Sequence, residues 1–256
     1  MNRRLFASVL PLAAIATALI VFSAQSQTDS AAAPARSAES APVEKAVKKG
    51  FLFSAISFAD SAFGVEWSRL RAAAQTKFPD LRLAKAEDLH ITVVYIGGDW
   101  RAEDLDRIRA HALVAPASSG RMTPEVVRMG RNDQVVAVEL HGAPQAWTDS
   151  VIAAKNELNR LGLKQADKYD TSFRTHITLA EARHNPPSET EAAELAGFLS
   201  WIASEVGEAP GKFSVRVGPR TRVDLLLTGA TRPEGSPEYI TVEDFLKAQQ
   251  APAPAK

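Results

Sequence analysis

Two histidines and two threonines recur in one pattern. "LHITVVYIG" carries His90 and Thr92, "FRTHITLA" carries His176 and Thr178, and each H-x-T lies in a run rich in β-branched residues. Residues two apart in a strand share a face, so each histidine stands beside its threonine. By the same parity Val94 and Ile96 fall on the His90 side, and Ile91, Val93 and Tyr95 on the other. Neutral imidazole accepts a proton and imidazolium donates one near pH ~6.5, so two facing histidines can supply base and acid in one turnover. Threonine hydroxyls can donate hydrogen bonds to the non-bridging oxygens of a phosphoryl group. Arg174 shares the face of His176 and Thr178 and is a candidate for phosphate or base contact. A single strand histidine is more often an ordinary polar group than a site. His111, His141 and His184 fit that description and receive no role. The two triplets differ because they recur at matched places in a repeated order of elements.

That order must position them. "FLFSAISF" (51–58) reads as a buried strand, and "SAFGVEWSRLRAAAQTKF" (61–78) as a helix leading to the His90 strand. Asp99 is an expected N-cap for a helix running to about Val114. "EVVRMGR" and "QVVAVELHG" then form two strands around Asn132-Asp133. The order begins again with the strand 134–141. Pro144 sits where a helix can start and Gly162 where it ends. The His176 strand follows, then a helix opened by a Ser188-x-x-Glu191 capping box. "KFSVRVG" and "VDLLLTG" are expected to pair as a hairpin through "PRTR". Each half reads strand, helix, His-bearing strand, helix, hairpin. The expected fold is α+β and bilobal: two pseudo-symmetric β-sheet lobes, helices on the outer faces, and a central cleft between two polar strand faces.

The chain ends lie outside this plan. "MNRR" followed by the apolar run Leu5–Phe22 and the small residues Ala24 and Ser26 reads as a secretory signal peptide over 1–26 or an uncleaved membrane anchor. Residues 27–48 have the Ala, Ser, Pro and charged composition of a flexible linker. The bilobal domain is expected over 49–240 and a C-terminal tail over 241–256. An exported protein, periplasmic or secreted and keeping a membrane tether if the anchor is retained, is the expectation. The whole chain has 30 basic and 30 acidic residues, and removing 1–26 would leave it slightly acidic. That argues against gripping long duplex nucleic acid. The absence of cysteine excludes disulfide scaffolds, thiolate zinc sites and a thiol nucleophile. No HExxH motif or carboxylate run offers a metal site, so no metal and no cofactor is expected. A monomer is expected.

The paired triplets resemble the signatures of the 2H (two-histidine) phosphoesterase superfamily, which includes bacterial RNA 2′,3′-cyclic phosphodiesterases, long labelled 2′-5′ RNA ligases. The resemblance covers most of residues 50–229. It implies that His90 and His176 are the acid–base pair and that Thr92 and Thr178 bind phosphate, without metal. The chain has Thr175 where the family usually has proline before the second histidine, and Glu181 where a basic residue is common. The implied activity is hydrolysis of a small phosphodiester, a 2′,3′-cyclic nucleotide or RNA end, with His176 leaning to base and His90 to acid. Two rivals stand beside it. One is a non-catalytic nucleotide- or phosphate-binding module using the same cleft. The other is a metal-dependent esterase with the histidines as ligands.

Overall fold

The computed structural model describes residues 50–230 and 238–250. The expected signal or anchor (1–26), the linker (27–48) and the end of the tail (251–256) lie outside them. The elements run β1 (Phe51–Ser57), α1 (Ala62–Lys77), β2 (Arg82–Leu83), β3 (His90–Gly97), α2 (Leu105–Ala112), β4 (Gly120–Met129) and β5 (Val135–His141). Then come α3 (Gln145–Arg160), β6 (His176–Glu181), α4 (Glu189–Glu208), α5 (Pro210–Phe213), β7 (Val215–Val217), β8 (Asp224–Thr228), β9 (Tyr239–Thr241) and α6 (Val242–Gln250). They build two sheets. One has the order β3-β1-β8-β9, the other β2-β6-β5-β4-β7, and their strand pairs are antiparallel.

Local chemistry explains several boundaries. The Ser61 hydroxyl accepts from the Gly64 N–H at 3.1 Å, satisfying a donor at the start of α1. Gly64 is required there because a Cβ would stand 2.3 Å from the Ala59 carbonyl oxygen. Helix α4 opens with the full Ser188–Glu191 capping box, and Gly162, at φ 68°, closes α3 in the left-handed region. Helix α2 departs from expectation. Asp99 does not cap it; the chain first makes a short 3-10 turn at Ala102–Asp104, and the Asp104 carboxylate accepts from Arg107 instead.

Two-lobed α+β architecture is present, but the lobes are not successive halves of the chain. The β4–β5 hairpin belongs to the sheet of β6, not to that of β3. The expected 212–229 hairpin does not form. A turn is present, with Thr221 N–H donating to Gly218 O at 2.8 Å, but β7 pairs with β4 and β8 with β1. Both strands thereby complete sheets that would otherwise leave β4 and β1 with open edges. Helices cross over likewise: α1 packs on β2 and α5, while α3 packs on α2 and β3. Helices α1, α4 and α5 back one sheet, α3 and α6 back the other, and α2 packs on α3.

One apolar core runs through both sheets and holds Trp67, Phe198, Trp147, Leu179 and Ile91, all fully buried. Trp67 meets Phe198 edge-on at 6.2 Å and donates from its indole to Ala84 O at 2.9 Å. The domain does not stop at 240. Strand β9 pairs with β8, and α6 buries Val242 and Phe245. Thr241 Oγ1 accepts from Asp244 N–H at 3.1 Å and so caps α6.

Candidate active site

Strand β3 lies at the edge of its sheet. The short β2 covers only Ala180 and Glu181 of β6, which leaves the His176 end of that strand without a second neighbour. The two strands pack against each other without joining one sheet. Each carries the same local device. Thr92 pairs with Ala55 and Val94 with Ser54, so Val93 has no partner on β1. Thr178 pairs with Ala137 and Ala180 with Val136, so Leu179 has no partner on β5. Both strands therefore bulge at the residue after the threonine. A bulge reverses the alternation beyond it. Strict parity thus fails after Thr92: Val94 and Ile96 turn into the core, and Tyr95 joins Thr92 on the cleft. Glu181 is the counterpart of Tyr95 on β6 and also lines the cleft. The alanine opposite each threonine leaves the hydroxyl clear of bulk.

The imidazoles are held alike. His90 Nδ1 lies 2.8 Å from Asp88 O, and His176 Nδ1 lies 3.1 Å from Arg174 O. A carbonyl oxygen only accepts, so both Nδ1 atoms carry the proton and both Nε2 atoms are left for chemistry. Burial pushes His90 below the ordinary imidazole range; the Asp88 carbonyl opposes this, and a charge on His176 lowers it further. Burial also lowers His176, against the pull of the Arg174 carbonyl.

Two cavities meet at Thr178, which lines both. The smaller has about 40 Å³ of room for water and is walled by His90, Asp88, Arg82, Glu181, Glu238 and Tyr239. The larger has about 630 Å³ and is lined by Thr92 and His176, with Tyr95, Tyr169, Phe173 and Arg174 among its walls. All five residues expected from the sequence thus line the cleft. Thr92 and Thr178 hydroxyls have no partner among the described residues. Arg174 is committed: its Nε and Nη2 fork onto the Glu139 carboxylate at 2.9 and 2.6 Å. Arg174 also lines the larger cavity, and the fork ties it to β5 beside His176. Thr175 is buried and its hydroxyl donates to Leu140 O, extending the pairing of that strand.

Other residues of the site were invisible to strand spacing. Lys155 is buried and donates to Tyr169 O at 3.1 Å and Ser172 O at 2.6 Å. Lys164, also buried, pairs with Asp170 at 2.6 Å. These two ammonium groups shape the loop that walls the larger cavity; a basic residue on an otherwise apolar helix face was the available signal for Lys155. The remaining histidines stand apart. His141 meets Glu125 at 2.7 Å, His184 meets Glu191 at 3.1 Å, and His111 sits in the last turn of α2. Among the described residues no cluster of three or more His, Asp or Glu side chains is arranged to hold a metal ion. No described helix is long and apolar enough to cross a membrane.

Comparison with solved structures addresses the fold. E. coli LigT in complex with 3′-AMP matches with a TM-score of 0.51 and 19% identity over 75% of this chain and 95% of LigT. The chain has the LigT fold. Usb1 from Kluyveromyces marxianus matches with a TM-score of 0.43 and 12% identity over 76% of this chain and 98% of Usb1. TT0787 of Thermus thermophilus matches with a TM-score of 0.42 and 19% identity over 75% of this chain and 94% of TT0787. No protein-family model and no curated protein matches the chain.

Proposed function

We propose that the protein is a phosphoesterase that hydrolyses a small phosphodiester, a nucleoside 2′,3′-cyclic phosphate or the cyclic phosphate end of an RNA, by acid–base catalysis from His90 and His176. The observation that carries this is the meeting of both H-x-T pairs at Thr178, with each imidazole locked in the same tautomer by the carbonyl two residues before it. Water attacks phosphorus as one neutral Nε2 takes its proton. The bond to one ring oxygen breaks as the other Nε2–H gives that oxygen a proton. Thr92 and Thr178 donate to the non-bridging oxygens, where charge builds in the transition state. The scheme uses no metal.

A cavity of about 630 Å³ suits a nucleoside, with Tyr95, Tyr169 and Phe173 supplying rings for a base. LigT, which shares the fold, was crystallised with 3′-AMP, a nucleoside bearing phosphate at a ring-opening position. Export through residues 1–26 and action as a monomer belong to the same reading. The test is incubation of the purified domain with 2′,3′-cyclic nucleotides in EDTA. Formation of nucleoside monophosphate is expected. Saturable binding without product would make the cleft a phosphate-binding module, and loss of turnover in EDTA would make the enzyme a metal-dependent esterase.

A further inference from the structure

We propose that the cavity where β7 meets the start of α1 and α5 is a second anion site, built on Arg121 and Arg216, for an organic phosphate monoester. It shares no lining residue with either cavity of the His90–His176 cleft, and it does not depend on the reading of that cleft.

The arginine pair comes first. Arg121 on β4 stands directly opposite Arg216 on β7 in the antiparallel ladder. Side chains so placed share one face, with Cβ atoms about 4.5–5.5 Å apart, and like charges there destabilise a sheet. A neighbouring carboxylate would relieve the repulsion. None does: both side chains are exposed, and among the described residues neither has a hydrogen-bond or ion-pair partner. Arginines that line other cavities differ in this respect. Arg82 meets Glu181, Arg174 meets Glu139 and Arg109 meets Glu243. Strand β7 is an edge of its sheet, and a charge on an edge strand guards against pairing with another chain. That role accounts for Arg216. It does not account for a second charge set against it on β4, which lies inside the sheet order.

The cavity gives the pair a shape. It offers about 400 Å³, within the range of small-ligand sites. Arg121 and Arg216 line it without any acid, and Phe58, Phe63 and Val215 supply apolar wall. Asp60 and Glu66, the acids nearest the start of α1 in sequence, do not line it, and Glu66 is held by Arg69 and Lys212. The Arg121 guanidinium lies beside α5: its Nη2 is 3.9 Å from where a Cβ on Gly211 would stand, so the lack of a side chain there keeps the approach clear. Ser61 and Ser214 also line the cavity, but their hydroxyls donate to Phe58 O at 2.7 Å and Pro210 O at 2.8 Å. Recognition therefore falls to the two guanidinium groups. Each presents parallel N–H donors that fit phosphate oxygens two at a time. Together they match the charge of about −1.5 to −2 on a phosphomonoester at neutral pH, which a diester lacks. The apolar wall suits the organic part.

The test reads the arginines themselves. Their side-chain Nε resonances, assigned from Arg121→Gln and Arg216→Gln, are followed by NMR as phenyl phosphate, inorganic phosphate or methyl phenyl phosphate (a monoanionic diester) is added to the purified protein. Phenyl phosphate is expected to shift both resonances together and saturably, and to bind more tightly than either other probe. Each variant should lose about tenfold or more in affinity, read on the arginine that remains. Both variants should keep the wild-type turnover of a 2′,3′-cyclic nucleotide. Without added anion at low salt, each should melt no lower than wild type, because the repulsion is relieved. Absence of a saturable shift, or unchanged affinity in the variants, overturns the site; aggregation of Arg216→Gln beside such a result would assign the pair to edge protection. Binding of the diester or of inorganic phosphate as tight as that of phenyl phosphate overturns the ligand class. Turnover lost in both variants would make the cavity part of the catalytic cleft and overturn its independence.

Discussion

Replacing Thr178 by valine isolates one hydrogen-bond donor at the place where the two cavities meet. Valine keeps the β-branched shape that suits strand β6. Thr178 sits opposite Ala137, and its hydroxyl has no partner among the described residues, so no intramolecular hydrogen bond is lost. The change in stability is therefore expected within about 0.5–1 kcal/mol, seen as a small shift in the thermal midpoint. Catalysis should respond far more. Removing one donor aimed at developing charge typically costs about 10²–10³ in kcat, or roughly 2.7–4 kcal/mol. The loss should fall mainly on kcat, because charge on the non-bridging oxygens grows from ground state to transition state. Steady-state kinetics on a 2′,3′-cyclic nucleotide would measure it, with Thr178→Ser expected to recover most of the rate. A loss under about fivefold with normal folding, or a loss confined to KM, would refute the role given to the hydroxyl.

Other consequences follow from the same geometry. Burial lowers both imidazoles, and one must remain charged to act as acid, so the optimum of kcat/KM should lie below pH ~6.5; an optimum at or above about pH 7.5 would contradict the burial argument. Glu191 closes the capping box and accepts from the Arg183 N–H, and its backbone bonds hold its carboxyl down at about 2. A depressed carboxyl stabilises the fold above its unfolded value and withdraws that support as pH falls toward 2. Glu191→Gln should thus melt lower at neutral pH and show a flatter decline than wild type between about pH 4.5 and 2, in thermal scans across that window. Arg174→Ala breaks an exposed fork with Glu139, worth no more than about 1 kcal/mol of stability. Its kinetic effect should exceed that, because the fork fixes the strand whose carbonyl at residue 174 holds His176; a variant with wild-type kcat and KM would reduce Arg174 to a surface ion pair.

Much of the site was legible because period-two patterns place His90 with Thr92 and His176 with Thr178 without reference to anything distant. Caps read equally well, since Ser61 and the Ser188–Glu191 box act within one turn. Non-local pairing was not legible. "KFSVRVG" and "VDLLLTG" carry a proper turn between them, yet each finds a better partner on a different sheet. The bulges at Val93 and Leu179 follow from register with β1 and β5, so the cleft position of Tyr95 could not be reached by counting. Asp88 and Tyr239 lie far apart in the chain and meet only because β9 joins β8. The α6 segment was a missed local signal: Thr241, Glu243 and Asp244 at its start and Val242, Phe245 and Leu246 along it have the spacing of a capped amphipathic helix.

The proposed catalysis requires two imidazoles that work as one unit across the cleft. Its most direct measurement is a double-mutant cycle: kcat for His90→Ala, His176→Ala and the double variant on a 2′,3′-cyclic nucleotide in EDTA, beside the folded wild type. Groups that act together are non-additive, so each single variant should lose about 100-fold or more and the double variant little beyond the worse single. Few-fold losses in the single variants, or losses that multiply in the double, would contradict it.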